Sequence, residues 1–336
     1  MLFFAGLLAA LRLAAAIATA LDPLESTDYG RQDRRRMAEL LREADRVELL
    51  VLGNSHAGAM DAASLGPAAL VLNRGGGDIF EMRLYAAALL PRLPRLRRLY
   101  VTVSPFTLAW DNTADEAMKI RRVHAYAALP GWRFLPGDAF RFLVGKADPW
   151  LRLTEVVRAD AWKGVLLAAL GRRPAAVQTE AASLAAPSVG HRCPARSAAD
   201  LDRHAARRAA EIAATVGAMA AAQPDIRSAA LQALEAMVTQ ARAREVEVLL
   251  FTPPYWRRYA SELDRLEPAL ATGDADDLRR LAARLQVPYR DHAADPRFAD
   301  DAAAFFDGDH LNPCGAARFT RLLLAEQRAP DAAAAR

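Results

Sequence analysis

The chain has 336 residues, with 44 Lys and Arg against 40 Asp and Glu, 53% hydrophobic residues and two cysteines. This composition excludes a disordered chain and a scaffold held mainly by disulfides. It also excludes a multi-pass membrane protein, because at most one run is long and apolar enough to span a bilayer. The pI near 9.3 is weak support for nucleic-acid binding, since acidic residues are interleaved with the basic ones, and we expect no nucleic-acid partner.

The first 21 residues form an almost wholly apolar run, interrupted by Arg12. Three interpretations are open: a signal peptide, for which Ala18-Thr19-Ala20 resembles a cleavage site, a single membrane anchor, and a buried Ala/Leu helix. Four arginines between positions 31 and 36 follow the run, and the positive-inside rule would keep that side cytoplasmic. We favour a cell-envelope protein, either membrane-anchored or periplasmic or extracellular. The two cysteines do not settle the compartment.

Short apolar runs of strand length alternate with helical patterns along the chain. We predict strands at 47–52, 69–72, 99–103, 247–251 and, more briefly, from 287, and helices at 33–44, 80–90, 200–222, 227–244 and 274–285. This alternation predicts an α/β fold with a parallel sheet of about five strands. Such sheets bind ligands at the carboxyl ends of their strands.

One stretch does not fit the repeating unit. We interpret residues 107–225 as a helical insertion in a single α/β domain that spans 22–330, with a further helix at 152–170 and a mobile loop near 174–198. The Ala-rich tail at 331–336 is predicted to be disordered.

Ser55 lies in a predicted strand–turn–helix segment, after Gly53 and Asn54. A serine there has an exposed hydroxyl, and the helix start offers backbone N–H groups that stabilise an oxyanion. A nucleophilic serine needs a base and an acid that orients the base. Asp307 and His310 lie three residues apart on one predicted loop near the other end of the chain and are the candidates for these roles. Asp309 competes with Asp307, which we prefer, and Asp309 and Asn312 are predicted to stabilise the loop.

These segments resemble motifs of the SGNH/GDSL hydrolase superfamily. Gly53-Asn54-Ser55-His56 looks like its first block, and Asp307-Gly-Asp-His310-Leu resembles its last. The run from Asn73 to Asp78 resembles the second block, whose glycine lends an N–H to the oxyanion hole, with Gly77 the better match and Gly76 close behind. The resemblance covers about 47–105 and 245–325, and it implies a flavodoxin-like three-layer α/β/α sandwich.

The third block departs from the family pattern. The family carries G-x-N-D after its third strand, whereas this chain reads Val103-Ser104-Pro105-Phe106. Two alternatives for the missing oxyanion donor stay open: Ser104 in the position of the asparagine, or Asn112 folding back. The predicted oxyanion hole therefore comprises Ser55, Gly77 and Ser104. Asn54, His56 and Tyr255 are candidate substrate contacts.

The resemblance implies a serine-dependent acyl-ester hydrolase or O-acyltransferase with the triad Ser55, His310 and Asp307, and with no metal or organic cofactor. Envelope relatives with a variant third block also carry an N-terminal hydrophobic segment, which favours an acylated carbohydrate, or another small ester, as substrate. The segment, if uncleaved, would make the membrane a partner. The alternative is a non-catalytic glycan-binding or assembly protein of the same fold.

Overall fold

A computed structural model describes residues 35, 37–104, 106–112, 193, 196–268 and 274–328. The described residues from 43 onwards belong to one compact unit. The interpretations of the apolar run at 1–21, the helix at 152–170 and the tail at 331–336 fall outside this part of the chain, as does most of the loop predicted at 174–198. No helix in the described part is long and apolar enough to cross a membrane.

Five strands form one parallel sheet in the order β2-β1-β3-β4-β5. Because β2 and β3 flank β1, the chain reverses its direction of progress across the sheet there, as in flavodoxin-like doubly wound folds. The predicted α/β fold with a parallel sheet of about five strands is confirmed. The strands are β1 (Leu49–Gly53), β2 (Ala69–Asn73), β3 (Arg98–Thr102), β4 (Glu247–Thr252) and β5 (Tyr289–Asp291).

The helices predicted at 80–90, 200–222, 227–244 and 274–285 are described within two residues of these ranges, and the helix from 257 is not among the predicted ones. Residues 35 and 37–42 are helical, inside the helix predicted at 33–44. The remaining helices are α1 (Ala62–Leu65), α2 (Ile79–Leu89), α3 (Ala198–Ala222), α4 (Ile226–Arg242), α5 (Arg257–Leu266), α6 (Asp274–Leu285) and α7 (Pro313–Arg328).

Helices cover both faces of the sheet, which makes it the middle layer of a three-layer sandwich. Alternate side chains of a strand point to opposite faces, and all five residues of β1 are buried. On one face, side chains of β1, β3 and β4 join a buried cluster with α3, α5 and α7. Helices α2 and α4 contact each other, and they contact β1 and β4 respectively. Burial on both faces explains the uninterrupted apolar sequence of the central strands.

Two contacts join the end of the predicted insertion to the segment around α7. A disulfide links Cys193 to Cys314, with 6.0 Å between their Cα atoms, and Cys314 lies in the first turn of α7. Helix α3 packs on the loop before α7 so closely that a Cβ on Gly308 would lie 2.7 Å from the Cα of Ala205. This loop therefore needs glycine at position 308.

Candidate active site

Ser55 lies where β1 ends and the chain turns sharply into a 3-10 helix, Ser55–Ala59. The turn brings the backbone close to β3, since a Cβ on Gly53 would lie 2.8 Å from the Cβ atoms of Ala57 and Thr102. Asn54 caps the turn by accepting a hydrogen bond from the backbone N–H of His56 at 3.0 Å. The half-buried Ser55 is therefore held at the carboxyl edge of the sheet.

The structure brings Ser55, His310 and Asp307 together. The Nε2 atom of His310 lies 2.8 Å from the Oγ of Ser55, across 255 residues of sequence. Its Nδ1 atom lies 2.9 Å from Oδ1 and 3.1 Å from Oδ2 of Asp307. A serine hydroxyl on one imidazole nitrogen and a carboxylate on the other is the arrangement of nucleophile, base and orienting acid.

Local hydrogen bonds fix the loop that carries Asp307 and His310. Oδ1 of Asp307 accepts hydrogen bonds from the backbone N–H groups of Asp309 at 3.0 Å and His310 at 2.8 Å. The Asn312 side chain donates to the Ala303 carbonyl at 2.7 Å and accepts from the Gly315 N–H at 2.9 Å. The predicted loop-stabilising role of Asn312 is confirmed.

Two carboxylates face His310 and set its charge. Burial alone lowers the pKa of this imidazole, but hydrogen bonds and charges from Asp307 and Asp309 outweigh the desolvation and raise the pKa to about 10. Such a shift follows when anions lie within a few ångströms of a partly buried histidine. His310 is therefore a stronger base than a solvated histidine.

Three more polar side chains lie buried beside Ser55 and His310. They are Ser104, His56 and Asp309. Oγ of Ser104 lies 2.5 Å from Nδ1 of His56, and Nε2 of His56 lies 3.5 Å from Oδ2 of Asp309. All three residues are at most 2% exposed. We refer to them as the buried row.

The oxyanion hole predicted from the sequence is corrected at two positions. The Gly77 N–H donates to the Arg74 carbonyl at 2.7 Å within a turn, so this N–H is not available to an oxyanion. The hydroxyl of Ser104 is completely buried and contacts His56 and the Asn54 side chain at 3.1 Å, so it is not available to a substrate. In the described part of the chain, the Ser55 N–H has no hydrogen-bond acceptor, and it stays available.

The alternative donor Asn112 does not reach the site. Its side-chain nitrogen donates to the Gly76 carbonyl at 3.0 Å and to Glu81 at 2.8 Å, and the residue is buried. The backbone N–H of Asn112 donates to Oδ2 of Asp78 at 2.7 Å. These contacts hold the loop after β2 in place instead of stabilising a charge near Ser55.

Asn73 is a candidate that the sequence analysis missed. One N–H of its side-chain amide donates to the carbonyl oxygen of Ser55 at 3.5 Å, and Asn73 lines the same cavity as Ser55 and His310. It ends β2 and pairs in register with Gly53. The sequence shows only that Asn73 follows the second apolar run, whereas its place beside Ser55 comes from the register of β1 and β2.

A cavity of about 360 Å³ opens beside Ser55 and His310. Its apolar lining includes Pro253, Pro254, Phe306 and Leu311, with polar groups from Ser55, Asn73, His56 and the Asp307–His310 loop. A larger cavity of about 940 Å³ lies near α5, α6 and the residues after β5, and it contains none of the three triad residues. The smaller cavity is the candidate substrate pocket, because Ser55, Asp307 and His310 line it.

Two of the three predicted substrate contacts are corrected. Asn54 is 3% exposed, and its side chain is occupied by the turn and by Ser104. Tyr255 is 1% exposed, and its hydroxyl lies 3.2 Å from Nδ1 of His56. His56 borders the cavity, but its nitrogens face Ser104 and Asp309.

One group of described residues, His56, Asp309 and His310, places its possible metal-ligand atoms within 4.8 Å of one another. His310 is engaged with Ser55 and Asp307, and His56 is engaged with Ser104. Asp309 lies beside Arg208. We therefore assign these side chains to the hydrogen-bond network and not to a metal.

No family model matches this chain, and no curated protein matches it.

Proposed function

We propose that this chain is an SGNH-type serine acyl enzyme, an ester hydrolase or O-acyltransferase that acts on O-acyl groups of a cell-envelope carbohydrate. One observation carries the proposal: His310 lies between Ser55 Oγ, at 2.8 Å, and Asp307, at 2.9 Å, at the carboxyl edge of a parallel sheet. The short motifs shared with the SGNH/GDSL superfamily are further support. The choice of a carbohydrate rests on likeness to envelope relatives with a variant third block.

The proposed reaction begins with proton transfer from Ser55 to His310. Oγ of Ser55 forms a bond to the ester carbonyl carbon, while Nε2 of His310 takes the hydroxyl proton and Asp307 holds Nδ1. The tetrahedral intermediate collapses when the alkoxide leaves and receives that proton from His310. The acyl group remains on Ser55 as an ester.

The second half of the reaction regenerates the serine. Water, or a sugar hydroxyl, loses its proton to His310 and attacks the acyl carbon. The bond from that carbon to Ser55 Oγ then breaks, His310 returns the proton to Oγ, and a free acid or a new ester is released. The Ser55 N–H and the side-chain amide of Asn73 are the proposed oxyanion donors in both halves. Hydrolysis and transfer use the same residues, and they differ only in the acceptor that enters the cavity.

The size and lining of the cavity favour a small acyl group. About 360 Å³ must hold both the acyl group and the part of the alcohol next to the ester. Prolines and Leu311 supply apolar surface beside Ser55. Acetyl and other short acyl groups match this volume better than long fatty acyl chains do.

The disulfide supports the proposed location in the cell envelope. Disulfides persist mainly in oxidising compartments and are rare where thiols are kept reduced. The Cys193–Cys314 bridge therefore favours export of the folded domain over the cytoplasmic location that the arginines after the apolar run would favour.

The proposal is tested by ester hydrolysis and by acyl transfer. Wild type is compared with Ser55→Ala and with Ser228→Ala, an exposed serine on α4 that serves as the matched control. Substrates are p-nitrophenyl acetate and acetylated sugars, with and without added sugar acceptors. We expect wild type and Ser228→Ala to be equally active and Ser55→Ala to be inactive. Equal activity of wild type and Ser55→Ala would exclude Ser55 as the nucleophile.

A further inference from the structure

We propose that Asp309 is a positioning residue for this reaction, and that it presents a second buried carboxylate to His310 while Arg208 and His56 hold it in place. This inference rests on the proposed function, because it assigns a role in the chemistry of Ser55 and His310. It differs from the role in loop stabilisation that the sequence predicts for Asp309.

One carboxylate oxygen of Asp309 lacks a hydrogen-bond donor among the described residues. This oxygen, Oδ1, is buried. It lies 3.3 Å from Nδ1 of His310, whose hydrogen bond goes to Asp307. A buried carboxylate oxygen without a donor is costly and uncommon. It is compensated when positive charge appears on the imidazole beside it.

The carboxylates of Asp307 and Asp309 differ in their hydrogen bonds and in their burial. Asp307 accepts two backbone N–H groups in addition to His310, so its position follows from the loop alone. The side chain of Asp309 is 1% exposed, against 13% for Asp307. Charges interact more strongly where solvent is excluded. Asp309 therefore acts mainly through its charge, whereas Asp307 also fixes the geometry of the imidazole.

The other oxygen of Asp309 is held from two sides. Oδ2 lies 3.4 Å from Nε of Arg208 on α3 and 3.5 Å from Nε2 of His56. Burial lowers the pKa of His56 more than the nearby carboxylates raise it, so His56 is neutral at pH 7 and offers an N–H instead of a charge. The pKa of Asp309 is held well below its usual range, because the favourable interactions with His310 and His56 outweigh the desolvation.

The orientation of His56 follows from its surroundings. The Asn54 amide donates to the Ser104 oxygen at 3.1 Å, and the Ser104 hydroxyl lies 2.5 Å from Nδ1 of His56. With Nδ1 accepting from Ser104, the proton of the neutral ring is on Nε2, facing Asp309. The rings of Phe106 and Tyr255 contact His56 edge to face, with centroids at 5.6 and 5.2 Å. The other two members of the buried row, Ser104 and His56, therefore support Asp309.

In the reaction, His310 becomes an imidazolium when it takes the proton of Ser55. Two carboxylates then stabilise the charge that forms in the transition state, and this stabilisation is stronger than in the ground state. The charged and titratable groups around His310 and Asp309 come from four segments of the chain. They are Asp307 on the same loop, His56 after β1, Arg208 on α3 with its partner Glu211, and Tyr255 and Tyr259 at α5.

The test measures pH profiles of kcat/KM for p-nitrophenyl acetate in wild type and three variants. Asp309→Asn removes the charge and keeps the shape, Arg208→Gln removes the cation from the one-third-exposed side of the site, and Asp300→Asn is an exposed control. We expect Asp309→Asn to lower kcat/KM by roughly 10- to 100-fold at high pH.

The direction of the pH shift separates charge from structure. Loss of the anion makes His310 easier to deprotonate. The acidic limb of the profile, over which kcat/KM rises with pH, therefore moves to lower pH in Asp309→Asn. Loss of the cation in Arg208→Gln moves that limb to higher pH, and Asp300→Asn leaves it in place. Lower activity with no shift of the limb in either variant would mean that Asp309 only supports the fold, and it would overturn the proposal.

An NMR titration of the His310 ring gives the same information without turnover. If wild type hydrolyses no ester, the proposed function fails, but the shifts of the His310 pKa in Asp309→Asn and Arg208→Gln still test the charge coupling. If wild type is active and both variants titrate like wild type, the inference about Asp309 is wrong while the proposed function stands. Should Asp309→Asn fail to fold, Arg208→Gln alone decides the question by the sign of its shift.

Discussion

The side-chain nitrogen of Asn73 lies 3.5 Å from the carbonyl oxygen of Ser55, at the end of the strand that pairs in register with β1. Asn73 is the last residue of β2, Ser55 begins the 3-10 helix after β1, and both line one cavity. The glycine run after Asn73 was the expected source of an oxyanion donor, but its best-matched N–H is occupied by Arg74. A side-chain amide at the end of β2 takes that place in the proposed mechanism.

Replacing Asn73 by Ala should lower kcat with little change in KM. A donor that contacts the oxyanion but not the ground-state ester stabilises only the transition state. The loss expected for one such donor is about 10²–10³-fold in kcat. Steady-state kinetics with a soluble ester measures both constants. A large rise in KM at unchanged kcat would place Asn73 in substrate binding instead.

Replacing Asp307 by Asn should be more damaging than any change in the buried row. The amide keeps the shape but no longer holds Nδ1 of His310 as the protonated atom, which costs about 10⁴-fold in kcat in enzymes with this arrangement. The hydrogen bonds from the backbone N–H groups of Asp309 and His310 can persist, so the thermal midpoint should change little. If Asp309→Asn is the more damaging variant, the two acids have exchanged roles.

The activity of the wild-type protein should rise with pH far into the alkaline range. His310 accepts the serine proton only when it is neutral, and its pKa is raised to about 10 by Asp307 and Asp309 against the effect of burial. Below that pH, kcat/KM should increase about tenfold per pH unit, and it should level off above it. The measurement is a profile from pH 6 to 11, corrected for spontaneous hydrolysis. An acidic limb near the pKa of a solvated histidine would show that the two carboxylates do not charge the imidazole.

Loss of the disulfide should destabilise the fold. Cys193 and Cys314 are 121 residues apart, so their bond restricts a long stretch of the unfolded chain. The double variant Cys193→Ser, Cys314→Ser should have a free energy of unfolding about 2–4 kcal/mol lower than that of the oxidised wild type. Urea unfolding with and without reductant measures the difference, and the double variant should not respond to reductant. Two free thiols in protein purified without reductant would contradict the pairing.

The fold was predictable because its signals are local and repeated. Each central strand is a short, uninterrupted apolar run such as Leu49–Leu52, and helical patterns separate these runs. A parallel sheet is the arrangement that alternation of this kind allows. The bounds of α2 and α4 differ from prediction by one or two residues. Helix α5 was missed because Pro253 and Pro254, just before it, indicate only the end of a strand.

The grouping of Ser55, His310 and Asp307 was predictable for a different reason. Ser55 follows a strand directly, and Asp307 and His310 are close in sequence, so a short motif carries their geometry. The proposed oxyanion donors were not predictable, since which of several neighbouring N–H groups stays free depends on hydrogen bonds such as that from Gly77 to Arg74. The buried row was also beyond the sequence, because Ser104 and His56 meet only through the pairing of β1 with β3.

The most direct measurement is labelling of the folded wild-type protein with a fluorophosphonate, followed by peptide mass spectrometry. A serine activated by His310 forms a covalent adduct with this reagent, whereas an ordinary capping serine does not. We predict one adduct, on Ser55, that is absent from Ser55→Ala and present in Ser228→Ala. A correctly folded wild-type protein that carries no adduct at Ser55 would contradict the proposed acyl enzyme and leave a non-catalytic protein of the same fold.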